Sequence, residues 1–386
     1  MNHQLVIIGN GFDLSHGLNL KYTDFLINYF HKCLFQLNVS EDKRDEKNIN
    51  YFFKVYSDEL LTIETQKWTD CGTEEHSFHN VKRKDWYEKL NISNIESLNK
   101  LIEIVKRELI ITFKKDFSLL EKILELSKKN WVDFESFYFD CLVEVKDIPD
   151  GKIESINTQW DFLKSEFIEY LKYCQNDFNS KRNKYNSFKN FEVLKYLFDG
   201  HEYGDNIKSK STKHFYLNFN FTNVLKVLYG FENIIQIHGS IDEDLDDMLF
   251  GYGFTQNENY SKIVSQRDNG FRINLKDIYY SDKKNKPELF EFLKNNSFDV
   301  KVIGHSCGES DITLLNKIFG HDNCKSIKIY SRDKSGFQNI RNNIYRFPFH
   351  EIISDKIIPY EDLKNNIIKQ FNSKFPLIND DYKINS

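Results

Sequence analysis

No alanine occurs among the 386 residues of the chain, and proline (5) and glycine (16) are scarce. Helices must therefore be built from leucine, lysine, glutamate, isoleucine and phenylalanine. We attribute this amino-acid composition to an AT-rich coding sequence and not to function. The six cysteines are scattered and form no CxxC pair. We therefore expect a reduced chain and no disulfide framework.

Long hydrophobic runs and an excess of positive charge are also missing. The longest apolar runs have about four residues, far below the ~20 that span a bilayer. The first residues lack the basic flank and small-residue cleavage site of a secretion signal. With a formal net charge of −5 and a pI of about 6.2, the chain has no general nucleic-acid footprint. We expect a cytoplasmic protein without membrane or nucleic-acid partners.

The first half of the chain is poor in helix breakers. Between Gly17 and Gly151 the only glycine is Gly72, and the first proline is Pro149. Apolar residues three or four positions apart predict amphipathic helices. They are Leu98, Leu101, Ile102, Val105, Leu109 and Phe113; Phe117, Leu120, Ile123 and Leu124; Phe134, Phe137 and Cys141; and Phe167, Tyr170 and Leu171. Residues 40–49 are predicted to form a charged connection and 179–189 an exposed loop. We predict an all-α insertion over residues 36–204.

The second half alternates strand-like and helix-like segments. Strands are predicted at 214–217, 234–237, 248–250, 300–303 and 327–330, and helices at 222–229, 287–295, 311–319, 336–345 and 360–371. This alternation is typical of a mostly parallel sheet that is covered on both faces. Together with a first strand at 4–8, it predicts an α/β fold with a Rossmann-like sheet. The nucleotide-binding domain would be discontinuous, formed by residues 1–35 and 205–386.

The opening of the chain has the pattern strand, tight turn, helix. The apolar run Leu5–Ile8 leads into Gly9-Asn10-Gly11-Phe12-Asp13, and Gly17 follows. Such glycines let a backbone approach a phosphate or ribose at a helix N-terminus. An ordinary turn with a helix cap from Asp13 or Ser15 explains the pattern as well, and Gly17 lies later than the Rossmann spacing requires.

Three later segments place polar residues at the ends of predicted strands. They are Asn218-Phe219-Asn220-Phe221-Thr222, His238-Gly239-Ser240 and Gly304-His305-Ser306, with Asp311 shortly after. An asparagine at a strand end can orient a ribose or a water, and a histidine there can act as a general base. Turn formation, helix capping and a hydrogen-bonded core histidine are the structural alternatives. Cys71, His76 and His79 lack a fourth ligand, so no metal site is expected.

Taken together, these segments resemble the sirtuin motifs. The opening glycines resemble the sirtuin GAGxSxxxGI motif, and the segment around Asn220 resembles T-x-N-[YI]-D. His238-Gly239 is similar to the catalytic His-Gly, and Gly304-His305-Ser306 resembles the late G-x-S. Two positions depart from that pattern: Asp13 stands in place of the serine and Thr222 in place of the aspartate. The CxxC zinc module is absent, which argues against protein deacylation.

A second resemblance covers essentially the whole chain. The opening IGNGFDLSHGLNLKYTDF is similar to the signature of the AbiH family of bacterial phage abortive-infection proteins. The segments NWVDFE, NFNFTNVL, IHGS with FGYG soon after, and GHSCGESD are similar to that family too. The two resemblances together imply an anti-phage defence effector with a sirtuin-like NAD-binding core.

This resemblance implies hydrolysis of NAD at the nicotinamide glycosidic bond. Asn220 and His238 would then be the catalytic residues, the first orienting the ribose or the water and the second acting as base. The implied NAD-binding residues are Gly9, Asn10, Gly11, Phe12, Asp13, Gly17, Asn218, Gly239, Gly304, His305, Ser306 and Asp311. By analogy, a homo-oligomer or a partner protein of the defence system is expected, and a phage-derived trigger is considered. A non-catalytic sensor of NAD or ADP-ribose and, more weakly, a nuclease are the alternatives.

Overall fold

The computed structural model describes residues 2–40, 43–45, 48–53, 55–64, 110–113, 118–127, 134–148, 152–185, 212–231, 233–244, 247–253, 258–281 and 286–360. The chain divides into two compact units. Among the described residues, the first unit comprises everything up to Leu20 and everything from Leu171 onward, and the second comprises Lys21–Tyr170. The second unit and the predicted insertion share residues 36–170. No described helix is both long and apolar enough to cross a membrane.

Strands occur in both units. They are β1 (Asn2–Ile8), β2 (Lys43–Asp45), β3 (Asn48–Phe53), β4 (Val55–Ser57), β5 (Leu61–Glu64), β6 (Ile110–Phe113), β7 (Thr212–Asn218), β8 (Ile234–Gln236), β9 (Phe298–Ile303) and β10 (Cys324–Tyr330).

Helices connect and cover these strands. They are α1 (Asn10–Ser15), α2 (Tyr22–Val39), α3 (Leu119–Ser127), α4 (Phe134–Val145), α5 (Lys152–Tyr185), α6 (Val224–Tyr229), α7 (Asn259–Val264), α8 (Lys276–Ser281), α9 (Pro287–Asn295), α10 (Ile312–Phe319), α11 (Lys334–Ile344) and α12 (His350–Ser354). Short 3-10 turns lie at Asn269–Arg272 and Glu309–Asp311.

The first unit is built on a five-stranded sheet with the order β10-β9-β1-β7-β8. All of its strand pairs are parallel, and the last residue of β1, Ile8, lies opposite Asn218 on one side and Ile303 on the other. The mostly parallel sheet that the alternating pattern predicts is therefore confirmed. Residues 5–8 in the central strand are fully buried, which explains why this strand is a continuous apolar run.

The strand order of this sheet has a topological switch point, where the direction of strand addition reverses. From β1 the chain builds outward through β7 and β8, and it then adds β9 and β10 on the opposite side of β1. This is the 3-2-1-4-5 order of doubly wound sheets. The order reverses between β1 and β9, and ligands of such sheets bind outside the carboxyl ends of the strands at that switch point.

The hydrophobic core of the first unit lies between the sheet and its helices. Helix α10 contributes buried side chains from Ile312 to Phe319, and α9 contributes Leu289 and Leu293. These helices and α11 were expected from their apolar spacing, and their bounds agree with the prediction within two residues. The strand predicted at 248–250 is wrong: that segment is irregular, and β8 is the edge of the sheet.

The second unit is not all helical, so the prediction of an all-α insertion is wrong. It contains an antiparallel pair, β2–β3, and an antiparallel three-stranded sheet, β4-β5-β6. The charged connection expected at 40–49 contains β2 and the start of β3. The last four positions of the helical pattern expected to reach Phe113 form strand β6. A lack of glycine and proline excludes neither element, and the aromatic and β-branched segments NINYFF and IITF favour strands.

The helical periodicity was informative elsewhere in this part of the chain. Helices α3, α4 and α5 lie where apolar spacing predicts them. The loop expected at 179–189 is wrong up to Tyr185, since α5 continues to that residue. Polar residues there lie along a helix, where an ion pair joins Asp177 to Lys181 four positions later. The predicted helical positions Leu98 to Leu109, the cysteine and histidines at 71, 76 and 79, and residues 361–371 lie outside the described residues.

Candidate functional site at the carboxyl edge of the sheet

The loops that follow β1, β7, β8 and β9 are joined by hydrogen bonds at the carboxyl edge of the sheet. The Asn220 side chain reaches the loop after β1, where its Nδ2 donates to the Gly9 carbonyl at 3.1 Å. The His238 ring, after β8, lies 3.1 Å from a carboxylate oxygen of Asp311, which follows β9. The segments that the sequence singles out therefore meet at one edge.

The loops after β1 and β9 touch along their backbones. A Cβ on Gly9 would lie 2.6 Å from the Cα of His305, and a Cβ on Gly11 would lie 2.8 Å from the Cα of Gly304. Gly304 itself has φ +70°, and a Cβ there would lie 2.2 Å from the Phe12 nitrogen. These three glycines are needed because any side chain would push the two loops apart.

The same contact uses the backbone donors of the opening turn. The Gly9 N–H donates to the Ile303 carbonyl at 3.0 Å, and the Gly11 N–H donates to the Gly304 carbonyl at 2.8 Å. The Phe12 N–H closes a turn onto Gly9 at 2.9 Å. A phosphate at this turn would thus meet three amide groups that already have partners. Phosphate binding by these residues stays a prediction.

The two departures from the sirtuin pattern meet in one interaction. The Thr222 hydroxyl donates a short hydrogen bond to Oδ2 of Asp13, so the loops after β1 and β7 are tied together. Both residues are buried. Burial raises the pKa of Asp13 to about 7, although hydrogen bonds from Thr222 and Asn220 act in the opposite direction. This carboxyl group therefore titrates near neutral pH.

The two asparagines after β7 have different surroundings. Asn218 serves the turn: its Oδ1 accepts from the Asn220 backbone N–H at 3.1 Å and its Nδ2 donates to the Thr222 carbonyl at 3.3 Å. Asn220 instead reaches across to Gly9. Its side-chain oxygen has no hydrogen-bond partner within the described part of the chain. Asn220 thus keeps one acceptor for a ligand, and Asn218 does not.

His238 is held from both sides of its ring. Its Nδ1 lies 3.1 Å from the Phe219 carbonyl and must donate to it. Its Nε2 lies 2.7 Å from the Tyr280 hydroxyl and 3.1 Å from Oδ1 of Asp311. Burial, followed by the charge of Lys276, lowers the pKa of His238 to about 4. The imidazole is therefore neutral at pH 7, with both nitrogens engaged.

Asp311 is the centre of a buried charge cluster. Lys276 Nζ lies 3.3 Å from its Oδ1, and the Tyr280 hydroxyl lies 2.8 Å from the same oxygen. Burial alone would oppose ionisation, but Lys276, followed by His238, holds the pKa of Asp311 well below its usual range. The carboxylate is therefore ionised, and its charge is balanced by the lysine.

His305 completes this cluster from the loop after β9. The Cys307 N–H donates to Nδ1 of His305 at 2.9 Å, so the ring carries its proton on Nε2. That Nε2 lies 3.5 Å from Oδ2 of Asp311. Cys307 has φ +53°, a rare conformation for a residue other than glycine. His305 thus fixes an unusual turn and contacts the buried carboxylate at the same time.

The remaining predicted residues lie along the same edge or close to it. Asn10 is exposed and its Nδ2 donates to the Leu20 carbonyl. Phe12 is buried against His16 and Tyr229, and Gly17 and Gly239 both have positive φ. Ser306 is exposed after β9, and its carbonyl accepts from Asn343. Their contact with a nucleotide stays a prediction.

Two members of the cluster, Lys276 and Tyr280, were missed by sequence reasoning. They lie four residues apart in α8, which places them on one helix face. The FGYG segment lies against both α8 and the turn that holds Asp311. The backbone of Tyr252 pairs with that of Leu275, directly before α8. Gly253 approaches the other side, where an added Cβ would lie 2.2 Å from the Ser310 carbonyl oxygen. A lysine directly after an apolar residue, followed by a tyrosine at i+4, was the signal available.

Fold and site together define an α/β protein whose polar residues collect at the carboxyl edge of a parallel sheet. The family model of bacteriophage abortive infection AbiH matches residues 5–332, and the chain therefore belongs to that family. This match confirms the resemblance to the AbiH family seen in the opening signature. It implies a role in abortive infection, a bacterial defence against phage. No curated protein and no solved structure matches the chain.

Proposed function

We propose that this AbiH-family protein acts in the cytoplasm by hydrolysing the N-glycosidic bond between nicotinamide and ribose in NAD. The observation that carries the proposal is the position of Asn220. Its carboxamide is fixed to the Gly9 carbonyl beside the switch point of the sheet, and its oxygen remains without a partner in the described part of the chain. A pre-oriented acceptor on a buried residue at that place suits a ribose hydroxyl or an attacking water.

The reaction requires little covalent chemistry from the protein. Water adds to C1′ of the nicotinamide ribose, the glycosidic electron pair leaves with nicotinamide, and a proton is released with ADP-ribose. The transition state is oxocarbenium-like, as in other glycoside cleavages. An acceptor that orients the ribose or the water, as the Asn220 oxygen does in this proposal, lowers the barrier mainly by positioning.

His238 is the proposed base, and its surroundings define what it needs in order to act. In this structure its Nε2 faces Tyr280 and Asp311. The nitrogen must turn away from that hydroxyl before it can receive a proton from the ribose or water. Because the pKa of His238 is lowered to about 4, the ring is in the neutral form that a base requires at pH 7.

The engagement of both His238 nitrogens favours a second candidate function. A protein that binds NAD or ADP-ribose without turnover needs no free base, and the hydrogen-bonded ring then serves to brace the loops after β8 and β9. The alternative is a sensor whose ligand occupies the same edge.

The test is nicotinamide release from NAD by purified protein, together with measurement of NAD binding. Asn220→Ala and His238→Ala should each reduce release by about 100-fold or more. The matched controls are Asn296→Ala and His350→Ala, which remove an amide and an imidazole that bond backbone carbonyls elsewhere in the first unit. Both controls should stay within about twofold of wild type. NAD binding without release would support the sensor, and absence of both would refute the proposal.

A further inference from the structure

One carboxylate oxygen at the carboxyl edge of the sheet is contacted by three side chains. Oδ1 of Asp311 lies 3.3 Å from Nζ of Lys276 and 2.8 Å from the Tyr280 hydroxyl. The same oxygen lies 3.1 Å from Nε2 of His238, and that nitrogen lies 2.7 Å from the Tyr280 hydroxyl. All four residues are buried. Because burial keeps bulk water away, their polar atoms are satisfied mainly by one another.

Two acceptors of this cluster share the Tyr280 hydroxyl. Nδ1 of His238 donates to the Phe219 carbonyl, so a neutral ring presents Nε2 as an acceptor. Oδ1 of the Asp311 carboxylate is the other acceptor. The hydroxyl lies within hydrogen-bond distance of both, but it has one proton and can fully serve only one of them at a time. Lys276 supplies the second donor, at Oδ1.

Without the lysine, one of the two acceptors would lack a donor from this cluster. A proton on Nε2 of His238 would remedy this, since the ring could then donate to Oδ1 of Asp311 across the existing 3.1 Å contact. The charge balance acts in the same direction, because a buried carboxylate without a cation favours an imidazolium beside it. A ring held in that form could no longer accept a proton. The lysine therefore bears directly on whether His238 can act as a base.

The titratable side chains that face His238 come from helix α8 and from the segment after β9. They are Lys276, Tyr280, Asp311 and His305. His305 points its Nε2 at Oδ2 of Asp311, 3.5 Å away, so it does not compete for Oδ1. The loop after β7 packs aromatic rings against the imidazole, and Glu243, in the ring's own loop, accepts from a backbone N–H there. Among the four, Lys276 carries the positive charge.

We propose that Lys276 is a positioning residue for His238: it supplies the second donor to Oδ1 of Asp311 and so keeps Nε2 of the imidazole unprotonated, as the proposed base requires. The inference rests on the proposed function and names the residue that prepares its base. Lys276 acts through Asp311. The pKa of His238, which burial and then the charge of Lys276 lower to about 4, agrees with this role.

The first experiment needs no substrate. Histidine NMR signals of the full chain are titrated between pH 5 and pH 9, and the signal of His238 is assigned with His238→Ala. In wild type the ring should stay unprotonated over this range. In Lys276→Met the pKa of His238 should rise to about 7 or higher. In the double variant Lys276→Met with Asp311→Asn the ring should again stay unprotonated, because the uncompensated carboxylate is gone.

Lys317→Met is the matched control for this titration. Nζ of Lys317 donates to the backbone carbonyl of Tyr280 at 3.1 Å, so this lysine holds the same helix by its backbone. Its removal should leave the His238 signal as in wild type. A shift of equal size in both lysine variants would show that His238 responds to the placement of α8 and would overturn the inference.

The second experiment measures nicotinamide release from NAD against pH, with each variant compared with wild type at the same pH. The kcat of Lys276→Met should be about tenfold or more below wild type at pH 6 and within about threefold of it at pH 9, with KM changing less than about threefold. A lysine that only stabilised the fold would lower kcat by one factor at every pH. Lys317→Met should stay within about twofold of wild type throughout.

The outcomes separate this inference from the proposed function. A raised pKa of His238 in Lys276→Met, with no nicotinamide release by wild type at any pH, would support the role of Lys276 and refute the hydrolase. Release by wild type together with an unshifted His238 signal in Lys276→Met would overturn the inference and leave the hydrolase standing. If Lys276→Met fails to fold, Lys276→Gln, which also removes the charge, decides by the same titration, and an unshifted signal there overturns the inference.

Discussion

Lys276 and Asp311 form a buried ion pair, with Nζ of the lysine 3.3 Å from Oδ1 of the aspartate. The side chains are 1% and 9% exposed, respectively. Such a pair stabilises a fold only while both charges are present, because removal of one leaves the other buried without compensation. The aspartate belongs to the turn after β9 and the lysine to α8, so the pair joins two segments of the first unit that are distant in sequence.

Asp311→Asn should therefore destabilise the protein by about 3–5 kcal/mol, since the lysine charge is left uncompensated. The double variant Asp311→Asn with Lys276→Met should be more stable than Asp311→Asn alone, because the uncompensated charge is gone. Urea unfolding of the wild type, the two single variants Asp311→Asn and Lys276→Met, and the double variant gives the coupling free energy between the two side chains directly. Additive effects of the two substitutions would show that the pair contributes nothing.

The close approach of the loops after β1 and β9 predicts a graded series of glycine substitutions. Gly304→Ala combines a positive φ with a Cβ placed 2.2 Å from the Phe12 nitrogen, and it should cost about 3 kcal/mol or more. Gly230→Ala has the same φ, +69°, but open space around the Cβ, so about 1–2 kcal/mol is expected.

Gly308→Ala is the control for that series. Its φ is −71°, and its Cβ would lie 3.5 Å from the Ser306 hydroxyl, so a change within about 0.5 kcal/mol is expected. Thermal and urea unfolding measure all three variants. Equal effects at Gly304 and Gly230 would mean that the two loops can separate at little cost.

The sequence predicted the sheet better than it predicted the site. Strands β1, β7 and β9 are apolar runs that end in glycine or asparagine, and both the runs and the polar ends can be recognised locally. The contact between Asp13 and Thr222 joins residues 209 positions apart. No local pattern predicts such a contact. Both positions depart from the sirtuin pattern, but the sequence analysis did not relate them to each other.

The errors have physical causes as well. Helix was predicted in the insertion because breakers are rare, but strands β3 and β6 need no glycine or proline either. Lys276 and Tyr280 were missed because α8 reaches Asp311 through the pairing of Tyr252 with Leu275, and an isolated bridge leaves no periodicity in the sequence. The family signature, in contrast, spans several strands and was recognised without knowledge of these contacts.

His16 should make the protein sensitive to acid. Burial lowers its pKa to about 4, so the folded state keeps it neutral while the unfolded chain takes up a proton below about pH 6.5. The stabilisation is present above pH 6.5 and is lost as the pH falls toward 4. Between pH 7 and pH 5 the contribution of His16 to the free energy of unfolding should fall by about 2 kcal/mol.

His16→Asn tests this assignment, since the asparagine keeps a donor for the Phe12 carbonyl, which His16 Nδ1 bonds at 2.8 Å. The difference in unfolding free energy between pH 7 and pH 5 should shrink by that amount. Tyr229→Phe, which removes the hydroxyl 2.9 Å from Nε2, should shrink it only in part. A pH difference that is the same in His16→Asn and wild type would contradict the assignment.

Tyr280 should control the protonation of His238. Its hydroxyl lies 2.7 Å from the ring Nε2 and donates to Oδ1 of Asp311 at 2.8 Å, the same oxygen that Nε2 contacts at 3.1 Å. In Tyr280→Phe no hydroxyl donates to Oδ1 of Asp311 any longer, so this oxygen is free to accept from a protonated Nε2, which favours a protonated ring. The pKa of His238 should rise from about 4 toward neutral in a histidine NMR titration.

Tyr252→Phe is the matched control, because it loses a hydroxyl that donates to the Phe271 carbonyl at 2.6 Å, and it should leave the pKa of His238 unchanged. If the pKa of His238 stays at its wild-type value in Tyr280→Phe, burial and Lys276 alone keep the ring neutral, and the hydroxyl has no part in it.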